Sequence, residues 1–243
     1  MLGRLYKPKG RALETAQQVL QINNPMAVNV AWGCTNRCQD CYIRYIKTGH
    51  IRYPKTEPFK LVEQQFKSGL KPDGVFISFE TDPLLQQHNL LNTFKLVSFL
   101  KQNNIPVAVL SKMGVIPVSG VRHGVTLKSH EEKFRKKFEP NALSIEERIR
   151  PLRVVHNDGE YTWVSDEPHP CPAIYKQDDY VFWEYINFVD FIIFGMWNYN
   201  SLAKTEEARE YYADTIIKFK DFCKDYGIRY WIKNDTLKFI TKE

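Results

Sequence analysis

Three of the five cysteines in this 243-residue chain lie in one short segment, at Cys34, Cys38 and Cys41. The C-x3-C-x2-C spacing brings three thiolates onto one loop, which is one ligand short of a closed four-ligand site. Soft thiolates suit iron–sulfur clusters. Three of them can hold three irons of a [4Fe–4S] cluster and leave the fourth iron open. An open position on a metal centre is typical of a reactive site.

A zinc site is the alternative interpretation of the same cysteines. Together with His50 they could form a Cys₃His set, which is a common structural zinc shell. The chain would then be a non-catalytic module that zinc stabilises and that binds nucleic acid or protein. The two interpretations differ at the fourth position, which a protein side chain fills in the zinc site and which stays open in the cluster.

Length and composition are those of a globular protein. Hydrophobic residues make up 43% and aromatic residues 14% of the chain, and 243 residues suffice for an α/β barrel in a single domain. No apolar run reaches the roughly 18 residues of a membrane span. The N-terminal segment is basic and lacks an apolar signal core. We therefore expect a cytoplasmic protein without a membrane partner, whose cysteines bind metal rather than form disulfides.

The formal net charge of +6 favours anionic partners, such as nucleic acid or a nucleotide. Basic residues gather in three groups. These are Arg4, Lys7, Lys9 and Arg11; Arg44, Lys47, Arg52 and Lys55; and Lys133, Arg135, Lys136 and Lys137. A solvated surface with one or two cofactor contacts explains the same charges equally well.

Short β-rich runs alternate with helical segments along most of the chain. The predicted strands are 27–31, 74–79, 106–110, 125–127, 161–164, 191–194 and 228–232. The predicted helices are 12–21, 58–68, 90–102, 131–138, 144–157, 179–188 and 205–226. Strand–helix–strand steps imply right-handed crossovers and a parallel sheet. The fold class is therefore α/β, a partial (β/α)6 TIM-like barrel, with one unit shortened because 111–124 lacks a helical pattern.

The predicted organisation is one domain over 1–243. An irregular N-terminal extension covers 1–25 and includes a short helix, the barrel core covers 26–200, and 201–243 forms a helix and a last strand. In parallel barrels the chemistry lies at the C-terminal ends of the strands. The cysteine loop, residues 32–42, follows the first predicted strand. The 78–83 segment, Ser-Phe-Glu-Thr-Asp-Pro, follows the second strand and carries acceptors for an ammonium, although such residues also serve as a helix cap and turn.

Six segments together resemble the spore photoproduct lyase-like branch of the radical S-adenosylmethionine (SAM) enzymes. They are 7–14, the cysteine loop, 76–83, 105–112, 133–140 and 189–198. The resemblance implies that Cys34, Cys38 and Cys41 ligate a [4Fe–4S] cluster whose open iron binds SAM. One electron then cleaves SAM to a 5′-deoxyadenosyl radical, which abstracts hydrogen from a substrate. It also implies an electron donor such as a flavodoxin or ferredoxin.

The resemblance also assigns contacts with SAM. Residues at the ends of the strands are the candidates: Ser78, Glu80, Thr81, Asp82, Lys112, Ser129 and Asn198. The 78–83 segment stands where the superfamily receives the methionyl amino group. Lys112 could neutralise the methionyl carboxylate, and Ser129 stands where ribose hydroxyls are often contacted. The aromatic residues around Asn198 can stack on a base. A surface lysine, a helix cap at Ser129 and simple aromatic packing are the structural alternatives.

Two residues are candidates for catalysis. In the lyase that names the branch, tyrosines stand on both sides of the last cluster cysteine; here Tyr42 follows Cys41 and Asp40 precedes it. The lyase carries its hydrogen-donating cysteine after the second strand, where this chain has none. Cys171, in a proline-rich loop after the fifth strand, could take that role or be an ordinary loop cysteine. The branch implies a nucleobase substrate, in nucleic acid or a nucleotide, with peptide or small-metabolite modification as the alternative.

Overall fold

The computed structural model describes residues 2–43 and 50–242. Its strands are β1 (Met26–Val28), β2 (Val75–Ile77), β3 (Val107–Ser111), β4 (Val121–Thr126), β5 (Thr162–His169), β6 (Phe191–Met196) and β7 (Arg229–Ile232). Its α-helices are α1 (Gly10–Leu20), α2 (Pro58–Lys67), α3 (Gln87–Gln102), α4 (Glu132–Phe138), α5 (Ile145–Asn157), α6 (Asp179–Tyr185), α7 (Glu206–Asp225) and α8 (Asn234–Thr241). A 3₁₀ helix, Ser201–Lys204, precedes α7. Arg44 and Lys47 of the second basic group lie outside the described residues.

The strands form one open parallel sheet in the order β1 to β7. Every neighbouring pair is parallel, so the chain winds in one direction and all the C-terminal strand ends lie along the same edge. Both faces of the central strands are buried, as in other all-parallel sheets. The α/β, TIM-like fold class predicted from the sequence is confirmed.

Two strands and one helix show the most informative differences from the sequence prediction, and β1 and β2 are shorter than predicted. β4 begins at Val121 instead of 125, because Arg122, His123 and Gly124 extend the strand despite their polar pattern. Gly124 is required there, since a Cβ would lie 2.2 Å from the Trp163 ring. β5 continues to His169 rather than ending at 164. Helix α8 follows the last strand and was not predicted.

Helix α1 packs against the inner face of the sheet. Its Ala16, Val19 and Leu20 share one apolar cluster with strand residues such as Phe76 and Trp163. The neighbouring residues along each strand point the opposite way and pack under the outer helices. None of the described helices combines the length and the apolar character needed to cross a bilayer.

Two arginines fix the C-terminal end of α1. Arg122 donates to the Val19 carbonyl, and Arg229 donates to the Gln18 carbonyl at 3.0 Å. These contacts satisfy carbonyls that have no partner within the helix and place positive charge at its negative end. Both arginines belong to the first residues of their strands. The N-terminal end of the sheet is therefore filled, and the open rim is at the C-terminal strand ends.

A buried imidazolium ties the end of β5 to the outer helices. His169 Nδ1 lies 2.9 Å from Asp166 Oδ1, and its Nε2 lies 3.2 Å from Asp179 Oδ1 on α6. Tyr211 on α7 donates to Asp179 Oδ2 at 2.6 Å. Burial alone would lower the pKa of His169, but Asp166 and Asp179 outweigh it and raise that pKa to about 10. The imidazole is therefore charged at neutral pH.

We expect this histidine to make the stability of the protein depend on pH. The pKa of His169 is about 10 in the folded chain and near 6.5 when unfolded, so its contribution is full below pH 6.5 and is lost as the pH rises through 10. The free energy of unfolding should fall by on the order of a few kcal/mol over that window. In the His169→Gln variant this fall should disappear, as measured by urea unfolding at a series of pH values.

The exposed His88, replaced in a His88→Gln variant, is the matched control and should keep the fall. Parallel curves for the wild type and His169→Gln would contradict the expectation.

Candidate active site

The cysteine loop follows β1 at the C-terminal rim of the sheet. Cys38 is buried and Cys34 and Cys41 are partly exposed, and all three are free thiols. Burial raises the pKa of Cys34, and the nearby Asp82 carboxylate adds to that. Burial also raises the pKa of Cys38 to about 12, against the opposing charge of Lys112. Cys34 and Cys38 would stay protonated on their own, and a metal would be needed to hold them as thiolates.

The chemistry of the donor set bears on the two metal hypotheses. Within 2–43 and 50–242, no three His, Cys, Asp or Glu side chains come close enough together to hold a single metal ion. The zinc set with His50 and the iron–sulfur cluster both stay predictions for these cysteines. The three soft donors on one loop at the rim fit a cluster with an open iron.

The cysteine loop and the 78–83 segment are joined by hydrogen bonds. The Gly33 N–H donates to the Glu80 carbonyl at 2.9 Å, and the Thr81 hydroxyl donates to the Gly33 carbonyl at 2.6 Å. The Tyr42 hydroxyl donates to the Phe79 carbonyl. Gly33 has a φ of +91°, and a Cβ there would lie 2.6 Å from the His50 carbonyl oxygen. The structure thus brings together two of the segments singled out in the sequence.

Asn29, one residue beyond β1, organises the 78–83 segment. Its Oδ1 accepts from the backbone N–H groups of Phe79 at 2.8 Å and Glu80 at 3.1 Å. Its Nδ2 donates to Glu80 Oε2 and to the Tyr6 hydroxyl, each at 3.0 Å. One buried amide therefore sets both the backbone and the carboxylate of Glu80. The Ser78 hydroxyl, directly after β2, accepts from the Val30 N–H at 3.2 Å.

Asp82 joins the ends of β2 and β3. Its Oδ1 accepts from the Ser111 hydroxyl at 2.7 Å and from the Leu84 N–H at 3.0 Å, and its Oδ2 accepts from the Lys112 N–H at 2.7 Å. Burial raises the pKa of this carboxyl, and the three hydrogen bonds act against it. Asp82 thus links the 78–83 segment to the end of β3.

The other proposed SAM contacts have protein partners as well. Lys112 Nζ lies 3.0 Å from Glu139 Oε1. The buried Ser129 hydroxyl accepts from the Glu131 N–H at 3.1 Å, which closes a turn before α4. Asn198 donates to Asp235 at 2.8 Å. Their contacts with SAM remain predictions.

Cys171 lies in the apolar cluster beneath α7. Its Sγ is 3.7 Å from the Leu202 carbonyl oxygen, and the side chain is 1% exposed. Burial raises the pKa of this thiol. The structure therefore places Cys171 in the packing against the 3₁₀ helix, and a catalytic role for it remains a prediction.

A cavity of about 850 Å³ opens elsewhere, on the outer face between α6 and α7. Three of the carboxylates that line it already have partners. Asp179 pairs with His169, Asp178 caps α6, and Glu131 accepts from the Tyr175 hydroxyl at 2.7 Å. It is an outer groove and does not belong to the rim that carries the cysteines.

A set of buried charges below the cysteine loop was not predicted from the sequence as a group. The buried charge cluster consists of Asp40, Lys112, Lys128, Glu139 and Arg148. One signal was available: Arg148 occupies the apolar face of α5 between Ile145, Ile149 and Leu152, all buried. A charged side chain at such a position requires a buried partner. The sequence does not reveal which partner that is.

The fold and the rim define a class of protein. It is an α/β partial barrel of parallel strands with a three-cysteine loop directly after its first strand and a polar segment after its second. No model of a known protein family matches the chain, and no curated protein sequence matches it.

Solved structures do match, and three of them are of spore photoproduct lyase variants. A variant with a dinucleoside spore photoproduct has a TM-score of 0.63 at 14% identity and covers 86% of this chain and 76% of its own. A second variant gives 0.64 at 13% identity, covering 85% and 76%. A third gives 0.61 at 12% identity, covering 93% and 86%. The resemblance expected from the sequence motifs is confirmed at the level of the fold.

Replacing Asn29 should destabilise the rim. An Asn29→Leu variant leaves the Phe79 and Glu80 N–H groups without their acceptor, and we expect the free energy of unfolding to fall by about 2–4 kcal/mol. Urea unfolding followed by circular dichroism measures this. The exposed Asn24 provides the control, since Asn24→Leu should stay within about 0.5 kcal/mol of the wild type. Equal losses in both variants would rule out the organising role of Asn29.

Proposed function

We propose that the chain is a radical SAM enzyme, with a [4Fe–4S] cluster on Cys34, Cys38 and Cys41 and SAM bound along the adjacent strand ends. One observation carries the proposal. The three-cysteine loop and the 78–83 segment meet through direct hydrogen bonds at the open rim of a fold shared with spore photoproduct lyase. The bound cluster would supply the electron that cleaves SAM to a radical.

The residues of the chain position this chemistry. Asn29 holds Glu80 through one carboxylate oxygen, so the other can accept from the ammonium group of SAM. Thr81 fixes the distance between the 78–83 segment and the cysteine loop through the Gly33 carbonyl. Tyr42 is 40% exposed beside them and can contact the substrate. Helix α1 closes the inner face from below, which keeps water away from a radical formed at the rim.

A nucleobase, in nucleic acid or a nucleotide, is the substrate class we propose. One structure with a similar fold holds a dinucleoside photoproduct. The net charge of this chain is +6. Lys133, Lys136 and Lys137 are exposed on α4, and Gln39 of the cysteine loop bonds to the carbonyl oxygens at the end of this helix. Phosphates could therefore be bound next to the cysteines.

Modification of a peptide or a small metabolite is the second candidate within the same chemistry. A flavodoxin or ferredoxin is the electron donor we propose, and the cytoplasm is the compartment in which a reduced cluster would persist.

Loss of one cluster ligand should abolish the activity. Anaerobic reconstitution of the wild type with iron and sulfide should give a brown protein with about four irons per chain, and dithionite should then convert SAM to 5′-deoxyadenosine. A Cys38→Ala variant should form at least 100-fold less 5′-deoxyadenosine, because the cluster loses one of its three anchors. Iron analysis, absorption spectroscopy and chromatography of the nucleoside measure these quantities.

Cys223→Ala is the control, because Cys223 is buried on α7 among apolar residues. It should retain iron and activity. A wild-type protein that carries its cluster yet never cleaves SAM would refute the enzyme and leave only a cluster-binding relative. Stoichiometric zinc in a colourless anaerobic sample would support the zinc module.

The substrate class can be tested with isotopes. Oligonucleotides, nucleotides, peptides and metabolite pools deuterated at carbon should be incubated with the reconstituted enzyme and SAM. Deuterium is expected in 5′-deoxyadenosine only with the nucleobase-containing samples. Transfer from a peptide or from a metabolite without a base would replace the nucleobase proposal by the second candidate.

A further inference from the structure

We propose that the buried charge cluster is a positioning device for the cysteine loop and that its balance of positive and negative charges tunes the reduction potential of the metal centre bound there. The inference rests on the proposed function and deepens it, because it assigns a role to residues that touch neither SAM nor substrate. Its five members come from the cysteine loop, from the ends of β3 and β4, from the end of α4 and from α5.

Most contacts in the cluster are short and buried. Lys128 Nζ lies 2.7 Å from Asp40 Oδ2 and 2.7 Å from Glu139 Oε1. Lys112 Nζ lies 3.6 Å and 3.0 Å from the same two atoms. Arg148 reaches Glu139 Oε2 at 2.6 Å. The side chains of Lys128 and Arg148 are 0% exposed and those of Asp40 and Glu139 are 4% and 3% exposed.

The position of Asp40 connects this cluster to the cysteines. Asp40 lies between Cys38 and Cys41, so its ion pairs fix the loop segment that carries two of the three thiols. Two further contacts act at the same place. The Gln39 N–H donates to the Phe138 carbonyl at 2.8 Å, and the Asn141 side chain donates to the Thr35 carbonyl at 2.9 Å. The loop is thus held from below by charge and from the side by α4 and the residues after it.

Stability alone does not account for four buried charges with a fifth, on Lys112, at their edge. Removing ions from water costs several kcal/mol each, and a buried ion pair often stabilises a fold no better than apolar residues of similar size. Arg148 needs several partners to offset this cost. Besides its ion pair with Glu139, its guanidinium donates to the carbonyl oxygens of Thr126 and Leu143. A fixed position for the loop is a function that such a cluster can supply and that apolar packing supplies less specifically.

The charges of the cluster give the electrostatic part of the inference. Four of them, on Lys112, Lys128, Asp40 and Glu139, act on Cys38, and Asp40 lies two residues from Cys38 in the loop. These two positive and two negative charges balance, so removing one of them leaves a charge of the opposite sign in excess beside the thiols. In a poorly screened interior, positive charge favours the more negative, reduced state of a metal centre.

Two variants change this charge in opposite directions. Glu139→Gln raises the net charge of the cluster by one unit, and Lys128→Met lowers it by one unit. We expect the first to raise and the second to lower the reduction potential of the reconstituted cluster, each by about a tenfold change in the equilibrium constant of reduction, which is ~59 mV for one electron. Redox titration followed by electron paramagnetic resonance, without SAM, measures the potentials.

The positioning role predicts that both variants change the rate of iron loss in the same direction. Both variants weaken the attachment of Asp40 or of its partners, so both should lose iron to a chelator several-fold faster than the wild type. Lys133→Met is the matched control, because Lys133 is exposed on α4 and its charge is screened by solvent. It should change neither the potential nor the rate of iron loss.

Folding of the variants is checked by circular dichroism of the metal-free chain. If Lys128→Met does not fold, Lys112→Met removes the same charge at the edge of the cluster, where the side chain is 13% exposed. Unchanged potentials, or shifts of the same sign, in fully loaded Glu139→Gln and lysine variants would overturn the electrostatic role alone. A wild-type chain that binds no cluster would overturn the inference together with the proposed function.

Discussion

The ion pair between Asp40 and Lys128 is the interaction on which the rest of the site depends. Lys128 Nζ lies 2.7 Å from Asp40 Oδ2, and both side chains are buried. The pair joins the cysteine loop to the end of β4. Without it, the loop would keep its hydrogen bonds to the 78–83 segment and to the end of α4, but Asp40 would lose its closest ion pair. Because a buried charge without its partner is strongly unfavourable, this pair favours the observed arrangement of the loop.

The parallel sheet explains why the site has only one open end. All seven strands point the same way, so the loops that follow them share one rim. Helix α1 fills the inner face and is bound at its C-terminal end by Arg122 and Arg229. The N-terminal ends of the strands thus serve stability, and the polar side chains needed for chemistry are free to gather at the opposite rim.

Fold and site contribute different parts of the argument. A shared fold at low sequence identity restricts where chemistry can occur, but many activities use the same α/β scaffold. In the proposed function the chemistry would come from the three thiols, from Glu80 held by Asn29, and from the buried charges below them. The thiols would hold the metal centre, and the neighbouring charges would influence how readily it accepts an electron.

The sequence by itself determined the cysteine spacing, the number and order of the strands and the rim to which they lead, because these follow from local periodicity and from the direction of parallel connections. Only the tertiary structure decided that Lys112 and Lys128 face Asp40 and Glu139, that β5 extends to His169, and that α1 lies inside the sheet. Each of these depends on partners distant in the chain, and a buried charge carries no local signal of the residue that will neutralise it.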